Sequence, residues 1–267
     1  MKSSTHKPTE RVLNILQLLS EKRDGITLTE IAQSIHAPKS TIYPIIQTML
    51  DRKFIHLDKS TLKYTLGIST LGIGASYLNN EEMIKFIKKE MNYIVNRIGE
   101  TSQMGILDGG NVLYLLKEDP NKDNDIRLVS YVGKRLPAYC TALGKALIYQ
   151  YNKEELQLLF PEGLKRFTKN TVTDFDTLEK QLKKVKIDYI ASEIEEITKH
   201  VCCYAVPLNV NEKPVAAISV SIPTFRITKE KIELTTELLL HVKDKVEEYF
   251  SAVNFEVDGG AMGKELR

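Results

Sequence analysis

The sequence predicts an α+β fold with two domains, an N-terminal winged helix-turn-helix and a larger C-terminal domain. Three observations predict it. The length of 267 residues suits two domains that each bury a core of their own. Residues 11–66 show three short helical patterns followed by a strand hairpin. The rest of the chain mixes aliphatic strands with amphipathic helices without strict alternation, which argues against a doubly wound parallel sheet.

The composition is that of a globular protein, with 42% hydrophobic and 27% charged residues. No apolar stretch approaches the roughly 18 residues of a membrane helix, and the polar start MKSSTHKPTER lacks the apolar centre of a signal peptide. We therefore expect a cytoplasmic protein that does not contact a membrane. The three cysteines, Cys140, Cys202 and Cys203, form no CxxC motif, so we expect reduced thiols rather than disulfides or a zinc ribbon.

The charge is unevenly divided along the chain. Residues 1–66 contain 10 Lys or Arg and 6 Asp or Glu, whereas residues 67–267 contain 27 and 29. A surface that faces nucleic-acid phosphates is therefore expected in the first quarter of the chain. The excess is modest, so a prediction of DNA binding also needs the pattern of the helices.

The first two helices are predicted from apolar residues at helical spacing. One lies between Arg11 and Ser20, which leaves residues 1–10 as a tail. The other is short, has Thr27 as a candidate cap and ends near His36. Their apolar residues are Val12, Ile15, Leu16 and Leu19 in the first helix and Leu28, Ile31, Ala32 and Ile35 in the second.

The segment KSTIYPIIQTMLDRKF, which begins at Lys39, is the predicted recognition helix. Its apolar residues share one side of the helix, and its small and polar residues largely share the other. Small polar side chains at a helix start can approach the floor of a groove and donate to phosphates. The predicted DNA-contacting residues of this helix are Lys39, Ser40, Thr41, Tyr43 and Gln47.

A two-stranded hairpin follows, formed by FIHLD and LKYTL across the polar turn KST, and this is the predicted wing. Lys59 near its tip and Lys63 on its second strand are expected to meet the DNA backbone without reading bases. A three-helix scaffold that does not contact DNA remains an alternative, with Thr41, Tyr43 and Gln47 merely solvated. The coincidence of an exposed polar helix face, a basic bias and a lysine-bearing wing favours DNA contact.

Residues 67–80 form the predicted linker helix, in which Leu71, Ala75 and Leu78 lie on one stripe that permits close packing within the chain or between two copies. The second domain is predicted over 81–251, with a short tail at 252–267. Its predicted helices cover 81–98, 141–151, 153–160, 176–186 and 229–251, and its predicted strands cover 102–108, 111–118, 126–132, 201–210 and 215–222.

The chain resembles the IclR (isocitrate-lyase-regulator) family of bacterial transcription factors from Arg11 to Tyr249. The matching segments are RVLNILQLL, ITLTEIAQSIHAPKSTIYPIIQTM, YTLGISTLGIG, GKRLPAYCTALGKALI and CCYAVPLNVNEKPVAAISVSIPTFRIT. The resemblance implies a winged helix-turn-helix, a linker helix used in dimerisation and a GAF-like effector-binding domain. It also implies a homodimer, or a homotetramer built as a dimer of dimers, on a palindromic DNA operator.

One position departs from the family, whose members often carry Arg where Pro44 stands. A phosphate or base contact is expected to be lost there. Proline inside a helix also removes a hydrogen bond, but the cost is small if Ser40 caps the helix and Pro44 falls in or just past the first turn.

The resemblance also implies a site for a small organic acid in the second domain. It assigns backbone amides to Ala142 and Leu143, at a helix start where Lys145 is a possible charge partner. The remaining implied effector-binding residues are Leu128 and Leu136 as apolar walls, together with Glu193, Cys203, Ser219 and Ser221. Without the resemblance, Thr141 is an ordinary helix cap, the two leucines are ordinary core, and the two serines are expected to face water.

The favoured function is a transcriptional repressor controlled by an organic or sugar acid. A constitutive DNA-binding protein whose second domain only mediates oligomerisation is the main alternative. An enzyme is not expected, because Cys203 and His200 lack a third triad member and no P-loop, GxSxG, HExxH or GxGxxG motif is present, so no cofactor is expected either. A metal held by Cys140, His200 and Cys203 is left open.

Overall fold

The computed structural model describes residues 6–22, 24–78, 81–120 and 130–255. Contacts divide the chain into two units, one that ends at Ile84 and one that begins at Lys85. Each unit is considered by itself. In the described ranges, no helix combines the length and the apolar character that crossing a membrane would require.

The N-terminal unit packs three helices against a three-stranded antiparallel sheet. Its core is formed by apolar residues from all three helices and from the sheet, including the fully buried Ile15, Ile31, Ile42 and Ile46. The strand order is β1-β3-β2. The elements are α1 (Lys7–Glu21), β1 (Ile26–Thr27), α2 (Leu28–Ser34), α3 (Lys39–Asp51), β2 (Ile55–Asp58), β3 (Lys63–Leu66) and α4 (Ile68–Leu78).

Local capping explains where the first two helices begin. Helix α1 begins at Lys7 rather than at Arg11, because Pro8 in its first turn has the backbone angle that a helix start requires. Helix α2 begins after Thr27, whose hydroxyl accepts from the Glu30 N–H while the Glu30 carboxylate accepts from the Thr27 N–H. The short strand β1 was not predicted.

Helix α3 differs from the expectation at its start. Pro38 is the residue that precedes the first turn, so Ser40 lies inside the helix and does not cap it. Pro44 is consequently in the second turn, where its missing N–H leaves the Ser40 carbonyl without its helical partner. The expectation that Ser40 caps the helix was wrong, so Pro44 lies deeper in the helix than that expectation placed it, and α3 nevertheless continues to Asp51.

The start of α4 is attached to the chain that follows α3. The Gly67 N–H donates to the Phe54 carbonyl at 2.8 Å, and the Ser69 N–H and hydroxyl donate to the carbonyls of Lys53 and Arg52 at 3.0 and 2.8 Å. A Cβ atom on Gly67 would lie 2.3 Å from the Lys53 carbonyl oxygen, so this close approach requires glycine. We call this contact the Gly67 junction.

The C-terminal unit is built on a six-stranded antiparallel sheet of order β6-β5-β4-β9-β8-β7. Its helices are α5 (Glu81–Ile98), α6 (Ala142–Leu147), α7 (Lys153–Leu159), α8 (Phe175–Asp188) and α9 (Lys229–Ala252). Its strands are β4 (Thr101–Asp108), β5 (Asn111–Glu118), β6 (Arg135–Pro137), β7 (Ala191–Ile194), β8 (Val201–Val210) and β9 (Lys213–Pro223). Helix and sheet are mixed as the sequence predicted, and the α+β class is confirmed.

Three details differ from the sequence-based prediction of this unit. Strand β7 was not predicted, and α6 ends at Leu147 rather than extending to residue 151. Of the strand expected over 126–132, residues 126–129 lie outside the described residues and residues 130–132 are not in a strand.

The central strands and α6 position the candidate site. Gln103 pairs with Ser219 between β4 and β9, while Cys203 pairs with Ser221 on one side of β8 and with Glu193 on the other. Helix α6 packs over this part of the sheet, and its six residues are all buried. Polar side chains from four strands are therefore brought together under one short helix.

Candidate DNA-binding surface and ligand cavity

The predicted recognition surface lies on one side of α3. Ile42, Ile46 and Met49 are buried against α1 and α2, so the opposite side of the helix is open to solvent. Of the predicted contact residues, Lys39, Ser40, Thr41 and Tyr43 are exposed and Gln47 is half-buried. This places five polar side chains between residues 39 and 47 of a helix whose opposite side packs into the apolar core.

The wing has a turn that is held by one carboxylate. Asp58 accepts from the Ser60 N–H at 2.8 Å and from the hydroxyls of Ser60 and Thr61. These hydrogen bonds from Ser60 and Thr61 lower the pKa of Asp58 to about 2. Lys59 is exposed at the tip of this fixed turn, and Lys63 is half-buried on β3.

The candidate ligand site is a small cavity in the C-terminal unit. Its free volume is about 20 Å³, which is enough for roughly one water molecule. The residues predicted to contact an effector meet in its wall, except that Leu128 lies outside the described residues. Those brought together are Leu136, Ala142, Leu143, Glu193, Cys203, Ser219 and Ser221.

The two serines are buried, so the expectation from alternation alone that they face water was wrong. Ser219 is 2% exposed and Ser221 is 4% exposed. The Ser221 hydroxyl lies 3.2 Å from the Cys203 sulfur and donates to Gln103 Oε1 at 3.5 Å, while Gln103 Nε2 donates to the Ser130 hydroxyl. A chain of polar contacts therefore runs across one wall of the cavity.

Glu193 is the charged residue among the described residues that line the cavity, and it is only 1% exposed. Its Oε2 accepts from the Glu196 N–H at 2.8 Å. Its Oε1 is buried and has no hydrogen-bond partner within the described part of the chain, and the same holds for the Thr198 hydroxyl. Burial raises the pKa of Glu193 to about 7, although the Glu196 N–H and the Cys203 thiol act in the opposite direction.

Lys145 is not available as the charge partner of a ligand, which corrects that expectation. It is 1% exposed, forms an ion pair with Glu196 and also donates to the Ser192 carbonyl at 3.2 Å. Glu196 in turn accepts from the Val172 N–H. The pair ties α6 to the loop between β7 and β8, and that loop also supplies Ile197 and Thr198 to the cavity wall.

The cysteines have the character of buried neutral thiols. Burial raises the pKa of Cys140 and of Cys203 well above the ordinary value, so neither is an activated nucleophile. The His200 side chain is 74% exposed and contacts Glu195 at 3.6 Å. No group of three or more His, Cys, Asp or Glu in the described ranges is arranged to hold a metal ion, so the metal alternative gains no support.

Sequence reasoning missed several residues of the cavity wall: Gln103, Tyr114, Ser130, Ile197, Thr198 and Val201. A polar Gln103 inside the aliphatic run SQMGILD was a usable signal, because a glutamine in a central strand needs partners. Ile197 and Thr198 lie in a loop and had no pattern to mark them.

A larger open cleft of about 780 Å³ lies elsewhere in the C-terminal unit, and it is less suited to an acid. Its buried cation, Lys243, pairs with Glu247 at 2.5 Å and lies 4.6 Å from the centre of the Tyr189 ring. None of the predicted ligand residues lines it. The smaller cavity is therefore the better candidate.

Comparison with protein families assigns the N-terminal and the C-terminal parts of the chain to one family. Residues 75–248 match the C-terminal domain of the bacterial transcriptional regulator IclR, and residues 8–59 match the IclR helix-turn-helix domain. The chain belongs to the IclR family. The fold class and the family resemblance inferred from the sequence are thus confirmed, including a DNA-binding helix-turn-helix domain in the first quarter of the chain.

Characterised relatives of this IclR-family chain are regulators. The transcriptional regulator KdgR of Escherichia coli K12 is 31% identical over 225 residues, which cover 84% of each chain. The transcriptional repressor AllR of the same organism is 26% identical over 232 residues, which cover 86% of this chain and 85% of AllR. These relatives confirm that the chain is a transcriptional regulator rather than an enzyme.

Solved structures agree on the fold. An IclR transcriptional regulator from Alicyclobacillus acidocaldarius superposes with a TM-score of 0.81 at 25% identity, covering 91% of this chain and 98% of that one. An IclR homologue from Microbacterium hydrocarbonoxydans in complex with 4-hydroxybenzoate gives a TM-score of 0.73 at 19% identity, covering 90% and 99%.

Proposed function

We propose that this IclR-family regulator is a repressor that binds a palindromic operator. Its affinity for the operator changes, in either direction, when a small organic or sugar acid occupies the cavity. The observation that supports this most directly is the convergence of buried polar atoms on that cavity. Buried polar groups are normally satisfied, and a cavity wall with two orphaned side-chain oxygens, Glu193 Oε1 and Thr198 Oγ1, is typical of a site that receives a ligand.

The donors available to an acid support the choice of ligand. Ser219 and Ser221 supply buried hydroxyl groups. Ala142 and Leu143 are the first two residues of α6, whose backbone N–H groups have no acceptor within the helix. The 4-hydroxybenzoate bound by the Microbacterium homologue is also a carboxylate.

The small size of the cavity supports a regulatory role. About 20 Å³ does not admit an organic acid, so the wall must move before one binds. A ligand changes operator affinity only through different affinities for two arrangements of the protein, and a movement of the cavity wall would supply the second arrangement. Typical coupling amounts to about 1–3 kcal/mol.

For the operator, we propose that Thr41, Tyr43 and Gln47 reach base edges. Lys39 and Ser40 at the start of α3, and Lys59 and Lys63 on the wing, are assigned to phosphates. Their support is that five of these side chains are exposed and that Gln47 and Lys63 are half-buried. Because the operator is DNA, we expect the protein to act in the bacterial cytoplasm.

For assembly, we propose a homodimer or a dimer of dimers in which α4 pairs with a second copy. Ile68, Leu71 and Ile73 on α4 are 66%, 65% and 61% exposed in the single chain. Apolar side chains at this exposure are typical of a surface that is covered in an assembly. Two recognition helices on a palindrome also bind more tightly than one.

The test is calorimetric titration of the full-length chain with a panel of monocarboxylic and sugar acids, followed by operator binding with each acid that binds. We expect at least one acid to bind and to change operator affinity. The variant Ser219→Ala/Ser221→Ala should lose this response, whereas Ser192→Ala, which changes an exposed serine on β7, should keep it. If no acid in the panel binds, the result would favour the constitutive DNA-binding alternative.

A further inference from the structure

Glu193 faces its cavity without a compensating cation. Among the described residues that line the cavity there is no Lys, Arg or His. Lys145 is close enough to influence Glu193 electrostatically, but its charge is met by Glu196. An acid that enters the cavity therefore brings a second negative charge into a space that already holds a carboxyl group.

The other ionisable groups around Glu193 do not relieve this conflict. Cys202 and Cys203 on β8, Cys140 before α6 and Tyr114 on β5 lie near enough that the Glu193 carboxylate raises the pKa of each of them. Burial raises the pKa of each of these thiols and of the phenol, so all four are neutral near pH 7. The carboxylate of Glu196 is neutralised by Lys145.

The hydrogen bonds of Glu193 determine which oxygen can carry a proton. Oε2 accepts from the Glu196 N–H at 2.8 Å, and an oxygen that accepts from an N–H keeps its lone pair for that donor. The Cys203 thiol is a weak donor beside this carboxyl group, and the buried Oε1 makes no hydrogen bond of ordinary geometry within the described residues. Oε1 is therefore the oxygen left to carry a proton and to donate it. A protonated Oε1 can donate to an oxygen of the bound acid.

We propose that the cavity binds its acid together with one proton, which Glu193 takes up and donates from Oε1 to an oxygen of the ligand. Two carboxylates in one dry site do not both ionise, and the shared proton turns their repulsion into a hydrogen bond. The preferred ligand is accordingly a monocarboxylate, because a dicarboxylate would add a further charge that no described lining residue neutralises. This inference rests on the proposed function.

The proton uptake predicts a pH dependence with a definite sign. The pKa of Glu193 in the ligand-free protein is about 7, so the proton is already present at pH 6 and must be acquired from solvent at pH 8. Affinity is then nearly constant below pH 6. Above pH 7 it falls by up to about tenfold for each pH unit, and by about tenfold between pH 6 and pH 8.

The experiment is calorimetric titration of the full-length chain with a monocarboxylate that binds, in two buffers of different ionisation enthalpy at pH 8. We expect close to one proton to be taken up per acid bound. The variant Glu193→Gln places an amide donor where the protonated oxygen stands, so it should bind the acid without proton uptake and with the same affinity at pH 6 and pH 8.

The matched control is Glu195→Gln, which changes a carboxylate just after β7 that does not line the cavity, and it should retain the uptake. Acid binding by the wild-type chain without proton uptake would overturn this inference and leave the proposed function intact. Loss of acid binding in Glu193→Gln at pH 6, with a cooperative melting transition at least as high as that of the wild type, would overturn it as well. No binding of any acid to any of the variants or to the wild type would overturn the proposed function and this inference together.

Discussion

Replacement of Lys145 by methionine should strongly destabilise the C-terminal unit. The Lys145 side chain is 1% exposed and its partner Glu196 is 6% exposed, so the variant leaves a carboxylate buried without its cation. Methionine keeps most of the volume of the lysine stem, so the packing around α6 is largely retained. Breaking a buried pair by removing one partner typically costs about 3–5 kcal/mol.

This loss converts into a measurable shift in melting temperature. For a unit of this size, 1 kcal/mol corresponds to roughly 2–4 °C, so the transition of the C-terminal unit should fall by roughly 6–20 °C. Scanning calorimetry of the full-length chain would measure it. The comparison variant is Lys183→Met, whose partner Glu179 lies at 2.8 Å on the surface of α8 and whose side chain is 68% exposed. Exposed pairs of this kind are worth only about 0.3–0.5 kcal/mol.

A double variant tests whether the cost arises from the unpaired charge. Lys145→Met/Glu196→Gln removes both charges and keeps an acceptor for the Val172 N–H. It should therefore be more stable than Lys145→Met alone. If Lys145→Met lowers stability by less than about 1 kcal/mol, or if the double variant is no better than the single one, the electrostatic argument is refuted.

Three further predictions concern the DNA-binding surface and the ionisation of the cavity. Thr41→Ala/Gln47→Ala should weaken binding to the operator more than binding to random DNA in fluorescence anisotropy, and equal losses on both would remove these residues from base contact. Lys59→Ala/Lys63→Ala should weaken both kinds of binding equally and reduce the slope of log affinity against log salt by up to about 2 per protomer, or about 4 for the proposed dimer; an unchanged slope would show that the wing does not meet phosphates. Because burial raises the pKa of Glu193 from 4.5 to about 7, ionisation costs the folded state about 3 kcal/mol above pH 7 and nothing below pH 4.5. Glu193→Gln should therefore gain stability relative to wild type at pH 8 but not at pH 4.5, and equal differences at the two pH values would count against the raised pKa.

The fold was predictable where the pattern of residues within one segment indicates which of them are buried. The apolar spacing on α3 identified Ile42, Ile46 and Met49, and all three are buried. Strand β1 was missed because its two residues become a strand only through pairing with Lys63 and Tyr64, far along the chain. The start of α3 was misjudged because Ser40 is a good cap by residue type, whereas the backbone turns into the helix at Pro38.

The site was predictable in membership but not in its electrostatics. The family resemblance predicted seven residues that line one cavity. The alternation of residues along the strand, taken alone, predicted that Ser219 and Ser221 face solvent. Alternation failed because β9 lies between β4 and β8 and is covered on both faces. The partner of Lys145 was not predictable, since Glu196 reaches it only after the sheet has formed.

The Gly67 junction has a mechanical consequence for regulation. Three hydrogen bonds couple the start of α4 to the backbone that follows α3, two donated by the N–H groups of Gly67 and Ser69 and one by the Ser69 hydroxyl. We expect a rotation of α4 to be passed to α3 through these hydrogen bonds, because the close approach at Gly67 leaves no room for a side chain between the two backbones. Within the proposed dimer, such a rotation would change the spacing of the two recognition helices without a rearrangement inside the DNA-binding unit.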